Sequence, residues 1–131
     1  MNINHLISDS IARIKNGYMK SYISVSIIKS KFIMKFIQSL ENEGFIQGYV
    51  EEKYTLKVFL KYTPSSESVI KDFKVISTPG SRIYFGLNDL MDWKHKTNTF
   101  ETLILSTTKG VFSANEALKQ GVGGEVLCII K

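Results

Sequence analysis

The sequence predicts an α+β chain of two small lobes: an N-terminal α-β-α-β-β lobe over residues 1–64, and a C-terminal lobe over 65–131 that is mostly β with a short helix. Three observations carry this. Apolar residues recur at three- and four-residue spacing in two early segments and at alternate positions in much of the remainder, the two periods that separate helix from strand. The 131 residues are 44% hydrophobic and 22% charged, a globular composition in a chain long enough to bury a core without metal or disulfide staples. Pro64-Ser65-Ser66 breaks the pattern between one apolar strand and a new β-rich run, and is the candidate linker.

Ile3, Ile7, Ile11, Ile14 and Tyr18 place an oily stripe on a helix over 4–16, with Gly17 as its stop and Asp9, Ala12, Arg13 and Asn16 on the opposite face. Residues 22–28 alternate, with Ile23, Val25 and Ile27 facing one way, as in a half-buried strand. Ser30 is placed to cap a second helix whose stripe is Phe32, Ile33, Phe36, Ile37 and Leu40, and Gly44 ends it in the left-handed conformation. Segments 45–50 and 54–62 pair as a hairpin. In the second lobe, 69–76 and 82–85 read as strands around the turn Thr78-Pro79-Gly80, 87–93 as a short helix, 94–99 as a polar loop and 100–106 as a buried strand. Ser113-Ala114-Asn115-Glu116 has the capping-box pattern of a helix running to Gln120, and the glycine-rich turn 121–124 leads into a last strand over 125–130.

Several function classes are disfavoured at once. The one cysteine, Cys128, has no partner for a disulfide, lies in an apolar run and reads as a core thiol. His5 and His95 are isolated, and there is no H-E-x-x-H or C-x-x-C, so neither a metal nor any other cofactor is expected. Glu41, Glu43, Glu51 and Glu52 lie at a helix end and a hairpin, where solvated charge is the ordinary reading. No apolar run approaches the roughly 18 residues of a membrane span, and residues 1–20 lack the pattern of a signal or import peptide. Small metabolic enzyme and protein-only adaptor remain as alternatives. The net charge of +5 favours a polyanionic partner.

The residues that fit such a partner fall in a few places. Ser106-Thr107-Thr108-Lys109-Gly110 offers three hydroxyls and an ammonium at the end of an apolar strand, within reach of a base edge, a ribose or a phosphate, or else forms a plain capped turn. Gly121-Val122-Gly123-Gly124 can present backbone N–H groups to phosphate or simply join helix to strand, and its spacing is neither that of a dinucleotide fingerprint nor that of a P-loop. Arg82 and Tyr84, two apart on a strand, would share a face and set a guanidinium beside an aromatic ring able to stack a base. Arg13 and Lys15-Asn16-Gly17, with Lys29-Ser30-Lys31, would form a second basic edge or merely solvated helix ends.

In order, Ile7-x-Asp9-x-Ile11-x-Arg13-Ile14-x-Asn16-Gly17, Ser30-Lys31, Glu43-Gly44-Phe45-Ile46, Leu60-Lys61-Tyr62, Pro79-Gly80-x-Arg82-Ile83-Tyr84, Ser106-Thr107-x-Lys109-Gly110-Val111 and Gly123-Gly124-Glu125 resemble the bacterial-type eighth protein of the small ribosomal subunit. The resemblance spans the chain, and its last two blocks are the most specific. It implies a two-lobed α+β protein, not an enzyme, that binds the central domain of small-subunit ribosomal RNA beside neighbouring ribosomal proteins. It takes no membrane and no small-molecule substrate as partner. By position, the C-terminal lobe would make the main contact through Ser106, Thr107, Thr108, Lys109, Gly110, Tyr84, Gly123, Gly124 and Glu125. The N-terminal lobe would touch a second RNA segment through Arg13, Lys15, Asn16 and Lys31.

Three departures stand out. Thr108 replaces the usual serine, Phe85-Gly86-Leu87-Asn88-Asp89 replaces a basic run after the tyrosine, and 94–99 replaces a short glycine turn as a candidate for contacts peculiar to this ribosome. Only Arg13 and Arg82 among the 17 basic residues are arginine. With the lysine-heavy composition, these departures make the mitochondrial matrix the expected location, with a bacterial cytoplasm as the alternative.

Overall fold

A computed structural model describes residues 3–96 and 101–131, with residues 3–5 by backbone alone. The side chains of Ile3 and His5, and the loop and strand positions 97–100, lie outside the described residues. The chain forms two compact units, one ending at Asp72 and the other running from Phe73 to Lys131.

The first unit contains α1 (Ile3–Met19), β1 (Ser24–Ile28), α2 (Lys31–Asn42), β2 (Ile46–Glu51) and β3 (Thr55–Leu60). Its sheet has the order β1-β3-β2, antiparallel throughout, with β3 central. Ile7, Ile11 and Ile14 of α1, Ile33, Phe36, Ile37 and Leu40 of α2, and Leu56, Val58 and Leu60 of β3 are buried, so both helical stripes and the alternation of the central strand meet in one core. The Ser30 hydroxyl accepts the Ile33 N–H at 3.0 Å, and Gly44 takes φ +81° just beyond the end of α2.

Gly17 does not stop α1. The helix runs through it to Met19, because the glycine lets β1 approach: a Cβ there would lie 2.5 Å from Val25 Cγ1 and 3.0 Å from Leu60 Cδ1. β1 begins at Ser24, and Ile23, assigned to the inner face, is exposed. Pro64, Ser65 and Ser66 form a turn inside this unit, where Thr63 N–H donates to the Glu67 carbonyl and Tyr62 bridges Ser68. The chain therefore divides after Asp72 rather than at this turn.

The second unit contains β4 (Phe73–Val75), β5 (Tyr84–Phe85), α3 (Leu87–Lys96), β6 (Thr102–Thr107), β7 (Gly110–Ser113), α4 (Ala114–Gln120) and β8 (Gly124–Ile130). Its sheet has the order β4-β8-β6-β7, with β5 also pairing with β8. All pairs are antiparallel. Leu103, Leu105 and Val126 form a core with Leu90 of α3 and with Ala114 and Ala117 of α4. The alternate residues Ile104, Cys128 and Ile130 point to the other face and are also buried. Burial drives the Cys128 thiol far above its ordinary range, so it stays protonated as a core side chain.

Four elements here differ from the sequence expectation, the first being the 69–76 strand, which contracts to Phe73–Val75. α3 continues to Lys96, taking Lys94, His95 and Lys96 from the expected polar loop into its last turn, where positive charge complements the helix C-terminus. β7 separates the hydroxyl-rich segment from α4 instead of leading straight into it. The expected 82–85 strand contracts to Tyr84–Phe85, leaving Arg82 outside it.

Candidate nucleic-acid interface

Register decides what the sheet of the second unit presents at one end. Tyr84 pairs with Glu125, Glu125 with Ser106, and Ser106 with Val111, so these four form one row across β5, β8, β6 and β7 and share a face. The next row is Phe85, Gly124, Thr107 and Gly110. Its side chains face the opposite way, and Phe85 packs against the helical core. Tyr84 is 62% exposed, a ring held at the sheet edge with a free face for stacking. Beside it, Glu125 Oε2 is closed off from solvent and has no hydrogen-bond partner among the described residues.

The hydroxyl-rich segment divides by role. Thr107 Oγ1 donates to the Gly110 carbonyl at 2.7 Å and accepts the N–H groups of Lys109 at 3.2 Å and Gly110 at 3.1 Å, so it closes the hairpin between β6 and β7. Its hydroxyl is spent within the protein. The hydroxyls of Ser106 and Thr108 make no hydrogen bond to the described residues, and Thr108 is exposed at the hairpin tip. Lys109 Nζ donates to the Gln120 carbonyl at 3.3 Å, at the C-terminal end of α4, where a cation is favoured. Gly110 has φ +143°, a conformation that excludes most side chains.

The glycines after α4 serve close packing. Gly121 caps the helix in the left-handed conformation at φ 69°. A Cβ on Gly123 would strike the Phe85 carbonyl oxygen and come within 2.9 Å of Gly86 Cα. One on Gly124 would strike the Ser106 carbonyl oxygen. Any larger residue would therefore push apart the strands that align Tyr84, Glu125 and Ser106.

The four candidates of the first unit do not form one cluster. Arg13 and Asn16 line an open cleft of about 360 Å³ with Lys20, Tyr22, Ser24 and Ser26, and Asp9 steadies the Arg13 guanidinium at 3.0 Å. Lys15 instead reaches Asp72 at 3.9 Å. Lys31 lies in a different cleft, of about 520 Å³, with Lys29, Ser30, Lys53, Tyr54 and Glu51, whose carboxylate pairs with Lys29 at 2.6 Å. Sequence reading missed Lys20, Tyr22, Lys53 and Tyr54. The only available signal was an aromatic within two positions of a lysine, a pairing too common to single out. Among the described residues, no three His, Cys, Asp or Glu side chains group as metal ligands.

The family model for ribosomal protein S8 matches residues 5–130. The chain belongs to the ribosomal protein S8 family. The small ribosomal subunit protein uS8 of Campylobacter fetus subsp. fetus (strain 82-40) is 41% identical to it, over 98% of each chain. The uS8 proteins of Campylobacter lari and Campylobacter jejuni (strain RM1221) are 40% and 39% identical over the same shares. The S8 match includes both the Tyr84–Glu125–Ser106 row and the two basic clefts.

Proposed function

We propose that this chain is a structural constituent of the small ribosomal subunit that binds the central domain of small-subunit ribosomal RNA and has no chemical step of its own. Membership of the S8 family across nearly the whole chain carries this reading. The sheet end of the second unit gives it a physical form. Tyr84 stacks an unpaired base, Ser106 and Thr108 offer hydroxyls, and the partly buried Glu125 carboxylate, by turning its unpartnered oxygen outward, accepts a donor such as a ribose 2′-OH or an exocyclic amine. Arg82, Lys109 and the two basic clefts of the first unit supply phosphate contacts and the salt dependence that accompanies them. Neighbouring ribosomal proteins complete its surroundings.

The relatives named above are bacterial, which favours a bacterial cytoplasm; the mitochondrial matrix rests on composition alone. Co-sedimentation of the tagged chain with small subunits from cell or organelle fractions tests both the assembly and its compartment. In a titration with a central-domain transcript, Tyr84→Ala weakens binding by about 1–3 kcal/mol, the worth of one stacked base. Unchanged affinity removes Tyr84 from the interface.

A further inference from the structure

Arg82 and Tyr84 flank Ile83, and the segment they form has little to hold it. Arg82 and Ile83 lie outside any strand, β5 is two residues long, and all three side chains are exposed. Burial therefore does not fix their direction. The backbone of Ile83 is nevertheless tied on both sides. Its N–H donates to Ser77 Oγ at 2.9 Å, and its carbonyl accepts the Val126 N–H at 2.8 Å and lies 3.4 Å from the same Ser77 hydroxyl. Ser77 is a polar side chain only 2% exposed, on the far side of the loop closed by the Thr78–Ser81 bridge.

We propose that Ser77 is a positioning residue for RNA binding. Its buried hydroxyl clamps the neck of the 77–83 loop and orders Arg82 and Tyr84 before RNA arrives. The inference rests on the RNA-binding reading of Tyr84 above. A serine fits the task because one small side chain can accept from an N–H and turn its proton toward a carbonyl. Without it, the Ile83 N–H loses its partner, and ordering the loop becomes a cost charged to binding.

The test titrates a central-domain transcript with four full-length proteins: wild type, Ser77→Ala, the double variant Arg82→Ala/Tyr84→Ala, and the triple variant. Each is held well below its own unfolding temperature. Ser77→Ala is expected to weaken binding about five- to thirty-fold, the equivalent of one lost buried hydrogen bond. The same change is expected to have almost no further effect in the double-variant background, because nothing remains for Ser77 to position. An undiminished loss in that background, or wild-type affinity in folded Ser77→Ala, overturns the proposal. If the double variant itself binds like wild type, the RNA reading of this surface fails instead. Amide hydrogen exchange in the wild-type chain decides the matter even if Ser77→Ala does not fold. Ile83 should be protected before RNA is added, and free exchange there until RNA binds counts against a preordered loop.

Discussion

Thr107 and Thr108 are neighbours of the same residue type with different work to do. The Thr107 hydroxyl holds three backbone groups of its own hairpin, whereas that of Thr108 stands at the exposed tip with no bond to the described residues. Valine keeps the shape of either side chain and removes only the oxygen. Thr107→Val should therefore cost stability, about 1–2 kcal/mol for the lost turn bonds, and weaken RNA binding through a loosened hairpin. Thr108→Val should leave the unfolding curve in place and weaken RNA binding directly. Thermal unfolding and RNA titration of both variants check this division, and equal destabilisation by the two would contradict it. Sequence located the hydroxyls but could not assign them, because which hydroxyl turns inward depends on the register of β6 against β7.

At the scale of elements, legibility followed how local the determining force was. The Ser30 cap, the left-handed Gly44, and the Ser113 hydroxyl accepting the Glu116 N–H are set by adjacent residues, and all were readable. Gly17, by contrast, reads as a stop because a helix interior ordinarily disfavours glycine, while its actual cause is a strand that returns several residues later. The two-residue β5 could not be bounded from sequence, since only its pairing with Glu125 and Gly124 defines it. The same holds for the glycines at 123 and 124, legible as a turn but not as contact points for β5 and β6. Gly17→Ala separates local from tertiary forces. Helix propensity alone would make alanine stabilising by about 1 kcal/mol. The collision with Val25 should reverse the sign to a net loss of about 1–3 kcal/mol. Adding Val25→Ala should recover part of that loss, and chemical denaturation of the single and double variants measures the coupling.

Across the whole molecule, the two units carry different titrating groups that folding keeps neutral. In the first, burial raises the Tyr18 phenol above its ordinary 10.0, offset in part by the Lys61 N–H that it accepts, while its own O–H donates to the Phe45 carbonyl at 2.7 Å. In the second, burial raises the Cys128 thiol above its ordinary 9.0. In both cases the folded state holds the proton more tightly than the unfolded state. The stabilisation is thus complete below the unfolded value and declines as pH rises past it. For the thiol the slope approaches about 1.4 kcal/mol per pH unit from roughly pH 9 upward. The second unit should accordingly weaken first in mild alkali, at a pH where Tyr18 is still protonated in either state. Unfolding followed between pH 7.5 and 11 should show its transition falling above pH 9 in the wild type and falling less steeply in Cys128→Ala. Parallel curves for the two proteins would mean that the thiol proton does not contribute. If the transitions of the two units separate, the Cys128 change should move only that of the second, whereas Tyr18→Phe should flatten the response of the first above pH 10.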